Sequence, residues 1–153
     1  MTQRDSSPLR EPYGLVVGGA EREASNGEMT DVHDPATGDV LTTVPAGTRA
    51  DLDRAVESAT EGFERWRRLE PKERGRLLRR VADRILDEKE RLATIETLEN
   101  GRPLEDARGQ VRRCARHFEY YAGIADKVQG EQIPLGDGYV DYTVREPLGV
   151  TGH

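Results

Sequence analysis

The chain has 153 residues, enough for one ordinary domain, yet only 35% are hydrophobic and 34% are charged, against roughly 45–50% apolar in a typical globular domain. Its core is therefore thin, so either the apolar residues are strictly periodic or a partner covers one face. A net charge of −6 excludes a sequence-independent affinity for nucleic acid, and no run approaches the ~20 apolar residues that span a bilayer.

The sole cysteine, Cys114, excludes an internal disulfide framework and fits a reducing, cytoplasmic setting. Basic charge is carried almost entirely by arginine, because Lys72, Lys89 and Lys127 are the only lysines.

Residues 1–12 read as a polar, disordered lead-in, without the apolar stretch that a signal peptide needs. "YGLVVGGAERE" then offers a short strand closed by Gly18-Gly19. "MTDVHDPATGDVLTTVP" predicts a strand, a tight turn and a second strand. Asp34-Pro35 initiates that turn, Gly38 gives it a permissive backbone, and the β-branched "DVLTTV" follows.

The middle of the chain is helical. Thr48, three residues before Asp51, predicts an N-terminal capping box. Behind it Leu52, Ala55, Val56, Ala59, Phe63 and Trp66 recur at helical spacing. Pro71 suits the first turn of a second helix, whose stripe is Leu77, Leu78, Val81, Ala82, Ile85 and Leu86. A third, shorter helix carries Leu92, Ile95 and Leu98 and stops at Asn100-Gly101. The fourth opens at Pro103, with an apolar stripe running from Leu104 through Val111, Cys114 and Phe118 to Ala125.

After Lys127 proline and glycine punctuate two β-rich runs. In the second, Tyr139, Asp141, Thr143 and Arg145 alternate with Val140, Tyr142 and Val144, the pattern of a strand with one wet and one dry face. "VTGH" at the end of the sequence reads as the start of another strand.

Residues able to do chemistry are scarce. Cys114 lies on a helix stripe with no helix N-terminus beside it, which predicts a packed thiol and not a nucleophile. His33, His117 and His153 are too scattered for a metal site. "GDGYVD" has two glycines of a dinucleotide fingerprint but lacks the third and precedes a strand, so it reads as a hairpin turn. The arginine clusters alternate with glutamates, as on solvated helix faces.

The order of segments resembles the NAD(P)-dependent aldehyde dehydrogenase superfamily. "HDPATGDVLTTVP" is similar to its N-terminal hairpin, "FERWRRLEPKERGRLLRRVADRI" to its first helical pair, and "ETLENGRPLEDARGQV" to the next helix boundary. "YYAGIADKVQGEQIP" resembles the end of its long helix, and "DYTVREPLGVTGH" the entry to its nucleotide-binding sheet. The resemblance implies an α/β fold with an N-terminal hairpin, a four-helix layer, oligomerisation-arm strands and an incomplete nucleotide-binding sheet. The implied divisions are a hairpin and helical layer over 13–128, arm strands over 129–147, and the start of a sheet strand over 148–153.

The activity implied is oxidation of an aldehyde to a carboxylic acid with NAD or NADP. A cysteine thiolate attacks the aldehyde, hydride passes to the nicotinamide, and the thioester is hydrolysed. In the family the "PWN" stretch, the dinucleotide turn, the general-base glutamate and the nucleophile all follow the region matched here. No catalytic or cofactor-binding residue therefore carries over, and neither NAD nor NADP is expected to bind these residues alone. The resemblance assigns Tyr139, Val140, Asp141, Tyr142, Thr143, Val144 and Arg145 to the oligomerisation arm. It gives dehydrogenase subunits, or the C-terminal portion of the polypeptide, as partners, with neither nucleic acid nor membrane among them. Some members hold a monovalent cation beside an acid, usually Asp, at the position of Glu99. Three readings are compatible with this pattern: the front portion of a dehydrogenase, inactive by itself; a non-catalytic module that associates with full-length subunits; or, with the resemblance accidental, an independent α/β binding domain.

Overall fold

The computed structural model describes residues 8, 9 and 13–153; most of the expected disordered lead-in lies outside the described residues. Four helices and three separate two-stranded antiparallel sheets make up the described fold.

The first sheet pairs β1 (Leu15–Val17) with β2 (Ala20–Arg22), Val17 opposite Ala20. Gly18 and Gly19 close it at φ 64° and 80°. Two successive positive φ values match the twist of a tight hairpin, and glycine reaches them without strain. The second sheet pairs β3 (Met29–His33) with β4 (Val40–Pro45), with an irregular register at Val32/His33. The Asp34 carboxylate accepts the Ala36 N–H at 2.8 Å, and the Asp34 carbonyl accepts that of Gly38 at 2.7 Å. The predicted turn chemistry is thus present.

Helix α1 (Arg49–Arg67) starts with the predicted capping box between Thr48 and Asp51. Pro71 is the first residue of α2 (Pro71–Asp87). Helix α3 (Lys89–Asn100) ends at Gly101, whose φ of 75° allows its N–H to reach the Thr97 carbonyl. Helix α4 (Leu104–Ile124) packs against both α2 and α3.

What these helices bury is small. Ala82, Ala93, Ala107 and Ala115 are at most 1% exposed. Ala93, Ala107 and Val111 form the centre of the core, with Ile85, Leu92 and Leu104 packed around them. Among the described residues nothing larger than alanine is fully enclosed. Small side chains let helix axes approach closely, and α2 and α4 touch at the backbone beside Gly75. Several larger apolar residues lie outside this core. On α1, Leu52 and Val56 are exposed and the only buried residue is Asp51; on α2, Val81 and Leu86 stand open. The stripes read from the sequence are present as periodic rows, but several of their large members, Leu52, Val56, Val81 and Leu86 among them, remain substantially exposed.

Three expectations are corrected. Cys114, expected on the packed stripe of α4, is exposed. The buried line of α4 runs through Ala107, Val111 and Ala115, and Cys114 falls one residue to its side. The strand expected over Tyr139–Arg145 is only two residues long: β6 (Asp141–Tyr142) pairs with β5 (Gln132–Ile133). Pro134 follows Ile133 and has no N–H to extend the ladder. The start of a strand expected over 148–153 is irregular chain, since a strand needs a neighbour and nothing pairs with this segment among the described residues.

Candidate functional site

The residues singled out from the sequence gather on the β5–β6 hairpin. Its base is closed on both sides of Thr143: the Glu131 N–H donates to the Thr143 hydroxyl at 2.8 Å, and the Thr143 N–H donates to the Glu131 carbonyl at 2.8 Å. Gly130 lies so close to the Thr143 carbonyl that any Cβ there would overlap it. At the other end Gly136 and Gly138, with φ of 98° and 86°, turn the loop that brings the chain back. The "GDG" sequence is therefore part of a connection between strands and does not open a helix, as a phosphate-cradling turn would.

The hairpin has no dry face. Tyr139 is 72% exposed and Val140 84%; Tyr142 and Val144 are about as open, and only Asp141 is half-buried. The hairpin thus leaves the side chains of Tyr139, Val140, Tyr142 and Val144 exposed.

The electrostatic centre lies elsewhere, at the start of α1. Asp51 is 5% exposed and accepts the Thr48 N–H at 2.9 Å, the Thr48 hydroxyl at 2.8 Å and the Ser25 N–H at 3.1 Å. The Ser25 hydroxyl adds a contact at 3.1 Å, and Arg54 forms an ion pair with the same carboxylate. The backbone bond from Thr48, then that from Ser25, hold the Asp51 carboxyl far below the usual carboxylate range. Ser25 had no sequence signal, because it precedes the capping box by more than twenty residues and only the fold brings it there. The arrangement is a structural anchor: the Thr48 and Ser25 backbone N–H groups, their hydroxyls and Arg54 all donate to the carboxylate and tie the turn at Ser25 to the start of α1.

The remaining sequence candidates lie apart from this anchor. Cys114 stands on the outside of α4, and His117 is exposed on the same helix. The His33 ring nitrogen Nδ1 lies 3.2 Å from the Gly38 carbonyl, within its own turn. Among the described residues no cluster of His, Cys, Asp or Glu could hold a metal ion. A cavity of about 400 Å³ between the β3–β4 hairpin and α3 is lined by Val32, Thr42, Arg91, Ile95 and Glu99, among others. The Thr42 hydroxyl is buried without a partner. Glu99 and Thr42 thus line the same cavity.

The Aldehyde dehydrogenase family model matches residues 22–153. The chain belongs to the aldehyde dehydrogenase family. DhaS of Bacillus subtilis (strain 168) is 36% identical over 99% of this chain, which spans 31% of that protein. Among solved structures, a variant of the aldehyde dehydrogenase of Bacillus cereus superposes with a TM-score of 0.86 at 34% identity, covering 90% of this chain and 28% of its own. PnpE in complex with nicotinamide adenine dinucleotide gives 0.80 at 40% identity, over 85% of this chain and 27% of its own. The NAD-dependent aldehyde dehydrogenase of Sinorhizobium meliloti gives 0.80 at 35%, over 87% and 27%.

The chain thus spans under a third of the length of these dehydrogenases. Its hairpins, helical layer and incomplete sheet are the corresponding part of the aldehyde dehydrogenase fold. None of its helices is long and apolar enough to cross a membrane, among the described residues.

Proposed function

We propose that these 153 residues serve as the N-terminal layer of an NAD(P)-dependent aldehyde dehydrogenase, which oxidises an aldehyde to a carboxylic acid, and that they are inactive alone. The observation that carries the reading is the division between what is buried and what is open. Small side chains dominate the helical core, while Leu52 and Val56 of α1, Val81 and Leu86 of α2, and Tyr139, Val140, Tyr142 and Val144 are exposed. Burying a single large apolar side chain is worth about 1.5–3 kcal/mol, so such rows favour association with further protein. The residues Tyr139–Arg145 are the surface we assign to pairing with dehydrogenase subunits. In this reading their role is to join and position subunits.

The same exposed hairpin also supports a second reading, a non-catalytic module that joins full-length dehydrogenase subunits in mixed assemblies. One experiment separates the outcomes. The purified chain is mixed with an aldehyde and NAD or NADP, and reduced nicotinamide is followed by its absorbance. Formation no faster than in buffer is expected, and saturable turnover overturns inactivity. The chain is then co-expressed with a full-length dehydrogenase of the family. Co-purification in a mixed oligomer favours the module, whereas turnover restored only when the C-terminal portion is supplied favours the dehydrogenase layer.

A further inference from the structure

We draw no further inference here: the strongest candidate, the cavity between the β3–β4 hairpin and α3 lined by the unpartnered Thr42 hydroxyl and by Glu99, restates the cation position that the aldehyde dehydrogenase family is already known to hold beside this acid.

Discussion

Gly75 of α2 faces the carbonyl of Ala122 on α4 so closely that a Cβ at position 75 would stand 2.7 Å from that oxygen. The neighbour is backbone, so it cannot swing aside, and the two helices would have to separate. Gly75→Ala should therefore cost about 1–3 kcal/mol, the usual penalty for overpacking. Gly62 of α1 is the contrast, because a Cβ there meets nothing within 4 Å. Gly62→Ala should stabilise by roughly 0.5–1 kcal/mol through helix propensity alone. Urea unfolding followed by helical circular dichroism distinguishes the two; equal midpoints would refute the close contact.

Asp51 makes stability depend on pH in a defined direction. Its folded pKa lies well below the unfolded value of about 3.9, so its contribution is fully present above that value. The contribution is lost as pH falls from there through the depressed folded value. Glu88 and Glu90 shift in the same sense, held down chiefly by hydrogen bonds from Arg91 and Arg108 respectively. The unfolding midpoint of the unaltered chain should drop steeply below about pH 4. Asp51→Asn, which keeps the shape and removes the charge, should be less stable at neutral pH and should flatten the acid slope. An unchanged slope would show that other carboxylates dominate.

Cys114 should behave as a surface thiol. Exposed on α4, it should react with an aromatic disulfide reagent in the folded chain at close to the rate seen in urea. Cys114→Ser should change stability by no more than about 0.5 kcal/mol. Strong protection from the reagent would return it to the interior of α4.

How much of this was legible depended on the range of the interaction. The Thr48–Asp51 box, Pro71, Gly101 and the Asp34–Gly38 turn are set by residues a few positions apart, and each appears as the sequence indicates. The Ser25–Asp51 bonds needed the tertiary path and left no trace in spacing. Periodicity located the apolar rows of α1, α2 and α4 but not which members would be covered. Leu52 and Ala82 look equally apolar on a helical wheel, yet one is 62% exposed and the other 0%. What separates them is the partner against each helix, which a stripe does not encode. The dry face expected of Tyr139–Arg145 is missing for the same reason: alternation promises one only if something is there to dry it.

From the alanine core and open apolar rows follows the state of the chain by itself. It should keep its helices, bind a hydrophobic dye and exchange most amide protons readily, the behaviour of a loosely packed or aggregation-prone species. The most protected amides should lie in α3 and α4 around Ala93, Ala107 and Val111. A monodisperse monomer with a sharp cooperative melt and no dye binding would contradict this.

The arm can be tested by two substitutions that act differently. Gly130→Ala places a Cβ on the Thr143 carbonyl, so the base of the hairpin must open and the bonds between Glu131 and Thr143 must break. Val140→Asp leaves those bonds alone and puts a charge into the exposed row, at a residue already 84% accessible. If the row is a pairing surface, both variants should weaken association with a co-expressed full-length dehydrogenase, measured by co-purification and sedimentation. Only Gly130→Ala should also abolish amide protection at Thr143. Burying a carboxylate without a partner costs enough to oppose a water-excluding contact, so Val140→Asp should reduce the mixed oligomer by roughly tenfold or more. Undiminished association by Val140→Asp, with the hairpin intact, would remove Tyr139–Arg145 from the interface and leave the open rows of α1 and α2 to carry it.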